Sequence, residues 1–100
     1  MTDAASDGEL RREMGCTWEE FLRWLPGACG HAPIVFAGDV CRILSDHGVV
    51  EIAVAEMAPR RIASITLPVL EVRFRFDGMG VEARAAFLEY FDRYTQRGGG

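Results

Sequence analysis

The chain has no lysine: all eleven basic residues among its 100 are arginines. A lysine-free chain cannot form a Schiff base, hold a nucleotide through a Walker lysine or use a lysine general base. The simplest source of the bias is composition, since the chain is also rich in alanine and glycine. Acids outnumber arginines, giving a net charge of -4. Nucleic-acid binding normally leaves a net basic footprint, so RNA and DNA are disfavoured as partners. No apolar run approaches the roughly 18 residues of a membrane span, and no membrane partner is expected. The opening MTDAASDGELRRE lacks the basic start and apolar stretch of a secretory signal. Cys16, Cys29 and Cys41 are odd in number and form no CxxC, which fits reduced thiols better than a disulfide framework. Together these features predict a cytoplasmic protein.

One hundred residues make one domain with a single core. Residues 1–13 are polar and expected to be disordered, residues 14–96 form the domain, and residues 97–100 are expected to be a flexible glycine tail. Thr17-Trp18-Glu19-Glu20 is a capping-box pattern, with Cys16 and Phe21 placed to form the accompanying hydrophobic staple. Trp18, Phe21, Leu22 and Leu25 then fall on one helical stripe, and Pro26-Gly27 is expected to end the helix. A second helix is predicted over 81–96, with Ala83, Phe87, Leu88, Phe91 and Tyr94 on one side and Glu89 and Arg93 paired at i, i+4.

Between the helices the pattern is of strand type: Ile34 to Phe36, Val40 to Leu44 and Val49 to Met57, separated by turns at Ala37-Gly38-Asp39 and Ser45-Asp46-His47-Gly48. Ala58-Pro59-Arg60 is expected to turn the chain into the segment from Arg60 to Phe76. There the apolar rhythm changes phase, from Ala63, Ile65 and Leu67 to Leu70, Val72, Phe74 and Phe76. Keeping both sets on one core requires an odd insertion near Pro68. A bulge in one continuous strand is favoured over two strands joined at Pro68, because Leu67-Pro68 lacks the glycine or asparagine of a tight turn. A bent continuous strand places Ile62, Ser64 and Thr66 on one outer surface with Glu71, Arg73 and Arg75. The predicted fold is α+β: a two-layer sandwich in which an antiparallel β-meander of four to five strands is covered on one face by an N-terminal and a C-terminal helix.

No catalytic triad, phosphate loop or standard metal spacing is evident, so no cofactor and no catalytic residue is assigned and the chain reads as non-enzymatic. Cys29, His31, Cys41 and His47 are the metal-capable side chains, but their spacing matches no zinc pattern, and separate turn histidines and structural thiols are the simpler reading. Cys16 precedes a helix, where a thiol's pKa can fall, but no base is placed near it and the staple accounts for it better. Trp24 lies off the apolar stripe of its helix, suiting either the sheet edge or an interface. Arg73 and Arg75 share a polar strand face that can receive carboxylates, with Glu51, Glu56 and Glu71 nearby for local pairing.

The ending Arg97-Gly98-Gly99-Gly100 resembles the glycine tail of ubiquitin-like sulfur carriers, which implies a terminal carboxylate activated as an adenylate. Such carriers have a β-grasp order in which the tail leaves a strand, whereas here a helical pattern precedes it. The sheet's second face, with Ala53, Ala55, Ile62 and Val69, and its open edges favour association, with a second copy or a partner protein. Trp24, Ile62, Arg73 and Arg75 are the candidate interface residues. The alternative is a small-molecule, metal or thiol-dependent accessory protein using Cys29, His31 and the nearby turns.

Overall fold

A computed structural model describes residues 9–98 of the chain. The element order is β1 (Glu9–Met14), α1 (Trp18–Ala28), β2 (Ile34–Ala37), β3 (Val40–Ser45), β4 (Gly48–Ile62), β5 (Ile65–Asp77) and α2 (Val81–Gly98). The strands form one antiparallel sheet in the order β1-β5-β4-β3-β2. This is the expected α+β arrangement, with a five-stranded sheet and two helices. Among the described residues no helix is long and apolar enough to cross a membrane.

The sheet begins earlier than the composition suggests. Residues 9–13 belong to β1 and are paired with β5, which corrects the expected disorder over 1–13 for that part; residues 1–8 lie outside the described residues. Leu10 and Met14 pack against the core, and between them Arg12 reaches Asp92 of α2 as an ion pair. A charge at the middle inward position hides the alternation that would mark a strand.

Helix α1 starts as predicted. The Thr17 hydroxyl accepts from the Glu20 amide at 3.1 Å, and the Glu20 carboxylate accepts from the Thr17 amide at 3.0 Å. Cys16 and Phe21 are both buried in the same core cluster. Its end is later than expected, because Pro26 lies inside the helix. The proline removes one amide donor, yet its fixed φ suits a helix. The stop comes from Gly30 and His31 at φ 66° and 62°, where the His31 amide donates to the Pro26 carbonyl at 2.8 Å. Gly27 is instead a packing position: a Cβ there would overlap the Tyr94 ring of α2.

The core lies between the sheet and the two helices. Val50, Ile52 and Val54 of β4 and Leu70, Val72 and Phe74 of β5 are buried against Phe21, Leu25 and Phe91. Phe74 meets Phe91 edge-on at 5.1 Å between ring centroids, and Phe87 flanks both rings. Helix α2 continues through Arg97 and Gly98, two residues into the expected flexible tail, and Gly99 and Gly100 lie outside the described residues.

The segment 60–76 is neither one bulged strand nor two strands joined at Pro68. The chain reverses at Ala63-Ser64, between the paired residues Ile62 and Ile65, with Ala63 at φ 56°. Strand β5 runs straight through Pro68. The extra residue lies on β4: Met57 pairs with Val69 and Arg60 with Leu67, so Ala58 and Pro59 together oppose Pro68. Ala58-Pro59-Arg60 is therefore a bulge within β4 and not a turn.

Candidate interaction surface

Strands β4 and β5 are much longer than their neighbours. Strand β3 pairs with β4 only as far as Ala53, and β1 with β5 only from Leu70 to Arg75. Beyond those points the two continue as a bare ribbon, an arm of roughly 15–20 Å at the usual rise per strand residue. It contributes to an elongated outline of 44 × 31 × 25 Å.

The arm has two unlike sides. Directly paired residues share a side, and side chains alternate along each strand. Ile65, Leu67 and Val69 therefore share a side with Glu71, Arg73 and Arg75, away from the core residues Leu70, Val72 and Phe74. Met57 pairs with Val69, Arg60 with Leu67 and Ile62 with Ile65, adding Met57 and Ile62 to the same stripe. The bulge at Ala58-Pro59 brings this about, since the extra residue shifts the even-numbered Ile62 to the side of the odd-numbered Met57. The opposite side carries Arg61 and Thr66. Thr66 is thus not on the outer surface with Glu71, Arg73 and Arg75, and Ser64 is part of the turn.

The stripe is exposed. Met57, Ile62, Ile65 and Leu67 retain 45, 53, 58 and 40% of their accessible surface, whereas the core-facing Leu70 retains 1%. Val69 is buried but stands outside the core cluster. Periodicity alone assigned Ile65 and Leu67 to the core; the cue to their exposure was the phase change itself.

Lower on the same face, charges of both signs interleave. Arg73 lies 4.0 Å from Glu9 and 3.9 Å from Glu71, Arg11 lies 3.3 Å from Glu71, and Arg42 lies 3.8 Å from Glu51. Arg75 is exposed and stands between Glu9 of β1 and Glu51 of β4 in register. Arg60, on the stripe, contacts Glu13 at 3.0 Å and ties the arm to the end of β1.

The other sequence candidates are dispersed. Trp24 is half-buried, packs on the core and lines a cleft of about 280 Å³ with Arg12, Asp92 and Thr95. Cys29 and Cys41 are buried in the core, while His31 is exposed in the stop of α1. His47 is exposed, donates its amide to the Ser45 hydroxyl at 3.0 Å and borders a second cleft of about 660 Å³ with Asp46, Met79, Glu82 and Phe87. Among the described residues no three His, Cys, Asp or Glu side chains come close enough to hold a metal ion. Burial pushes the Cys16 thiol up to about 11, with Glu20 adding to the effect, and the Cys29 thiol up to about 12, with Cys41 adding. Burial also raises Cys41, helped by Asp39. A thiol so shifted is a poor nucleophile at neutral pH, and the helix start does not activate Cys16.

The fold and its exposed arm define the chain as a two-layer α+β domain with a protruding β-ribbon. No protein-family model matches it, and no curated protein matches it in sequence.

Proposed function

We propose that this chain is a cytoplasmic domain that works by protein association, with the apolar side of the β4–β5 arm as its contact surface. One observation supports this reading: the apolar phase of β5 switches sides at Pro68, so the strand faces its own core below that point and solvent above it. A two-stranded ribbon is marginal in water unless a third strand or a packed layer supports it. Exposed apolar side chains of this number on a regular ladder are suited to a covering protein. The test is size in the native cytosol. The chain should run well above its 11.1 kDa monomer mass, and Ile62→Ser/Ile65→Ser/Leu67→Ser should return it to that mass. Monomer-sized migration of the unaltered chain would overturn the reading.

A second reading has one observation in its favour. The cleft of about 660 Å³ lies beside the turns at Gly30, Ala32 and Ser45–His47 and has Met79, Ala83 and Phe87 among its lining residues, in the size range of small-molecule sites. A small-molecule accessory role places its ligand there. Native mass spectrometry of freshly purified protein that retained a small molecule, lost on Phe87→Asp, would favour this reading over association.

A further inference from the structure

We infer that the sheet edge at β2 is a self-pairing edge: a second copy adds its own β2 antiparallel about a two-fold axis at Val35, joining two five-stranded sheets into one. The contact is separate from the arm and does not depend on it. The two edges of the sheet are built differently. Strand β1 carries Glu9, Arg11, Arg12 and Glu13, and Arg12 points inward to Asp92; charges of this kind keep an edge from pairing. Strand β2, Ile34-Val35-Phe36-Ala37, has no charge, no proline and no bulge. Its shortness is its one safeguard, and it makes the contact weak.

Hydrogen bonding fixes which backbone groups are free. Gly38 (φ 66°) and Asp39 form a two-residue turn, so Ala37 and Val40 close the ladder, and at its other end the Leu44 amide donates to the Pro33 carbonyl at 2.9 Å. Residues 33, 35 and 37 thus bond toward β3. The N–H and C=O groups of Ile34 and Phe36 point outward, without a partner among the described residues. Such a row is satisfied by another extended strand. In the register centred on Val35, each Ile34 exchanges both of its bonds with Phe36 of the other copy, and no outward group is left over. Pro33 faces β3 and costs this ladder no donor.

Side chains and charge agree with the same register. Phe36 pairs with Cys41 on the core side of the sheet, yet it is 56% exposed and stands outside the core cluster. The other copy's Ile34, which packs on its own core, becomes its neighbour, so the two cores meet across the seam. The titratable groups that flank β2 are His31 and Asp39, both exposed and neither ion-paired among the described residues. The Val35-centred register sets His31 at the same end as Asp39 of the other copy, twice over, whereas parallel pairing sets Asp39 beside Asp39. This match lies within the chain's own sequence and favours a second copy over an unrelated strand.

The experiment is sedimentation velocity on the purified full chain from about 1 to about 500 µM, repeated with Ile62→Ser/Ile65→Ser/Leu67→Ser to remove the arm. The expected result in both is a reversible monomer–dimer equilibrium with a midpoint above about 100 µM, open at the dilution of a cell extract. Val35→Asp sets two carboxylates against each other on the axis and should weaken the dimer by about 10-fold or more, with far-UV circular dichroism to check folding. Cysteine cross-linking under a mild oxidant keeps the test open if that variant misfolds. Val35→Cys should cross-link between copies, because directly opposed residues at a non-hydrogen-bonded position lie within disulfide reach. Ala37→Cys, on the same side of the same strand, lies about 13 Å along the ladder from its counterpart and should not. A chain that stays monomeric throughout, a dimer lost with the arm or insensitive to Val35→Asp, or cross-linking through Ala37→Cys in preference overturns the edge as the contact. The arm keeps its separate test in cytosol whichever result is found.

Discussion

Leu67 and Leu70 lie three residues apart on one unbroken strand and face opposite sides of it: Leu70 is 1% exposed inside the core, and Leu67 is 40% exposed on the arm. The strand has the same backbone at both places, and what differs is the supply of a covering layer. Helices α1 and α2 cover the body of the sheet, and among the described residues no helix is placed over the arm. The phase change at Pro68 thus marks where the chain stops being buried by its own helices.

Truncation separates the two environments. Leu70→Ala should cost about 2–5 kcal/mol of folding stability, the range for deleting a buried leucine side chain. In the monomer Leu67→Ala should stay within about 0.5 kcal/mol, as exposed substitutions do. Urea unfolding at a low concentration measures both. Equal losses at the two positions would show that the arm is packed within the monomer.

The capping box is a local device with a local cost. Thr17→Ala removes the acceptor for the Glu20 amide at the entrance of α1 and should destabilise the protein by about 1 kcal/mol. Thr17→Ser keeps the hydroxyl and should recover most of that loss in the same denaturant titration.

The features legible in the sequence are those set by neighbours in the chain. The Thr17–Glu20 box, the aromatic stripes of both helices and the hairpin turn at Gly38 (φ 66°) depend on short spacings and on residue types with one dominant use. The features that were missed depend on distant partners or atypical chemistry. Strand β1 is recognisable only once Arg12 has Asp92 to meet. The β4–β5 turn uses Ala63 in a left-handed conformation that costs an alanine of order 1–3 kcal/mol, so no composition rule points to it. The phase change was legible as an anomaly, but the expectation of one shared core hid its meaning: the odd residue needed near Pro68 is present on the opposite strand, and the two apolar sets face different sides.

The thiols give a pH dependence of defined sign. Burial raises Cys16 to about 11 and Cys29 to about 12 from a value of 9.0, and raises Cys41 as well. Above pH 9 the unfolded chain loses these protons while the folded chain keeps them, so folding stability is full below about pH 9 and falls as pH rises toward 11 to 12. Denaturant midpoints measured across that range should decrease, and a Cys16→Ala/Cys29→Ala/Cys41→Ala variant should lose this component of the decline. At pH 8 an aromatic disulfide reagent should leave the thiols of the folded protein unlabelled and modify all three after denaturation.

Gly27 and Tyr94 test how the two helices meet. Alanine is intrinsically favoured over glycine inside a helix by about 1 kcal/mol, so Gly27→Ala on an open helix face would stabilise. Here the added Cβ would overlap the Tyr94 ring, and overpacking of this kind costs about 1–3 kcal/mol. The ring tip belongs to a side chain that is 38% exposed and can swing outward, so the collision offsets the propensity and Gly27→Ala alone should lie between neutral and about 1 kcal/mol destabilising. In a Tyr94→Ala background the nearest obstacle to the new methyl group is gone, and the same substitution should become stabilising. A double-mutant cycle read by urea unfolding measures that change of sign. A substitution with the same effect in both backgrounds would show that the helices do not approach at this position, and that Gly27 is present for its backbone alone.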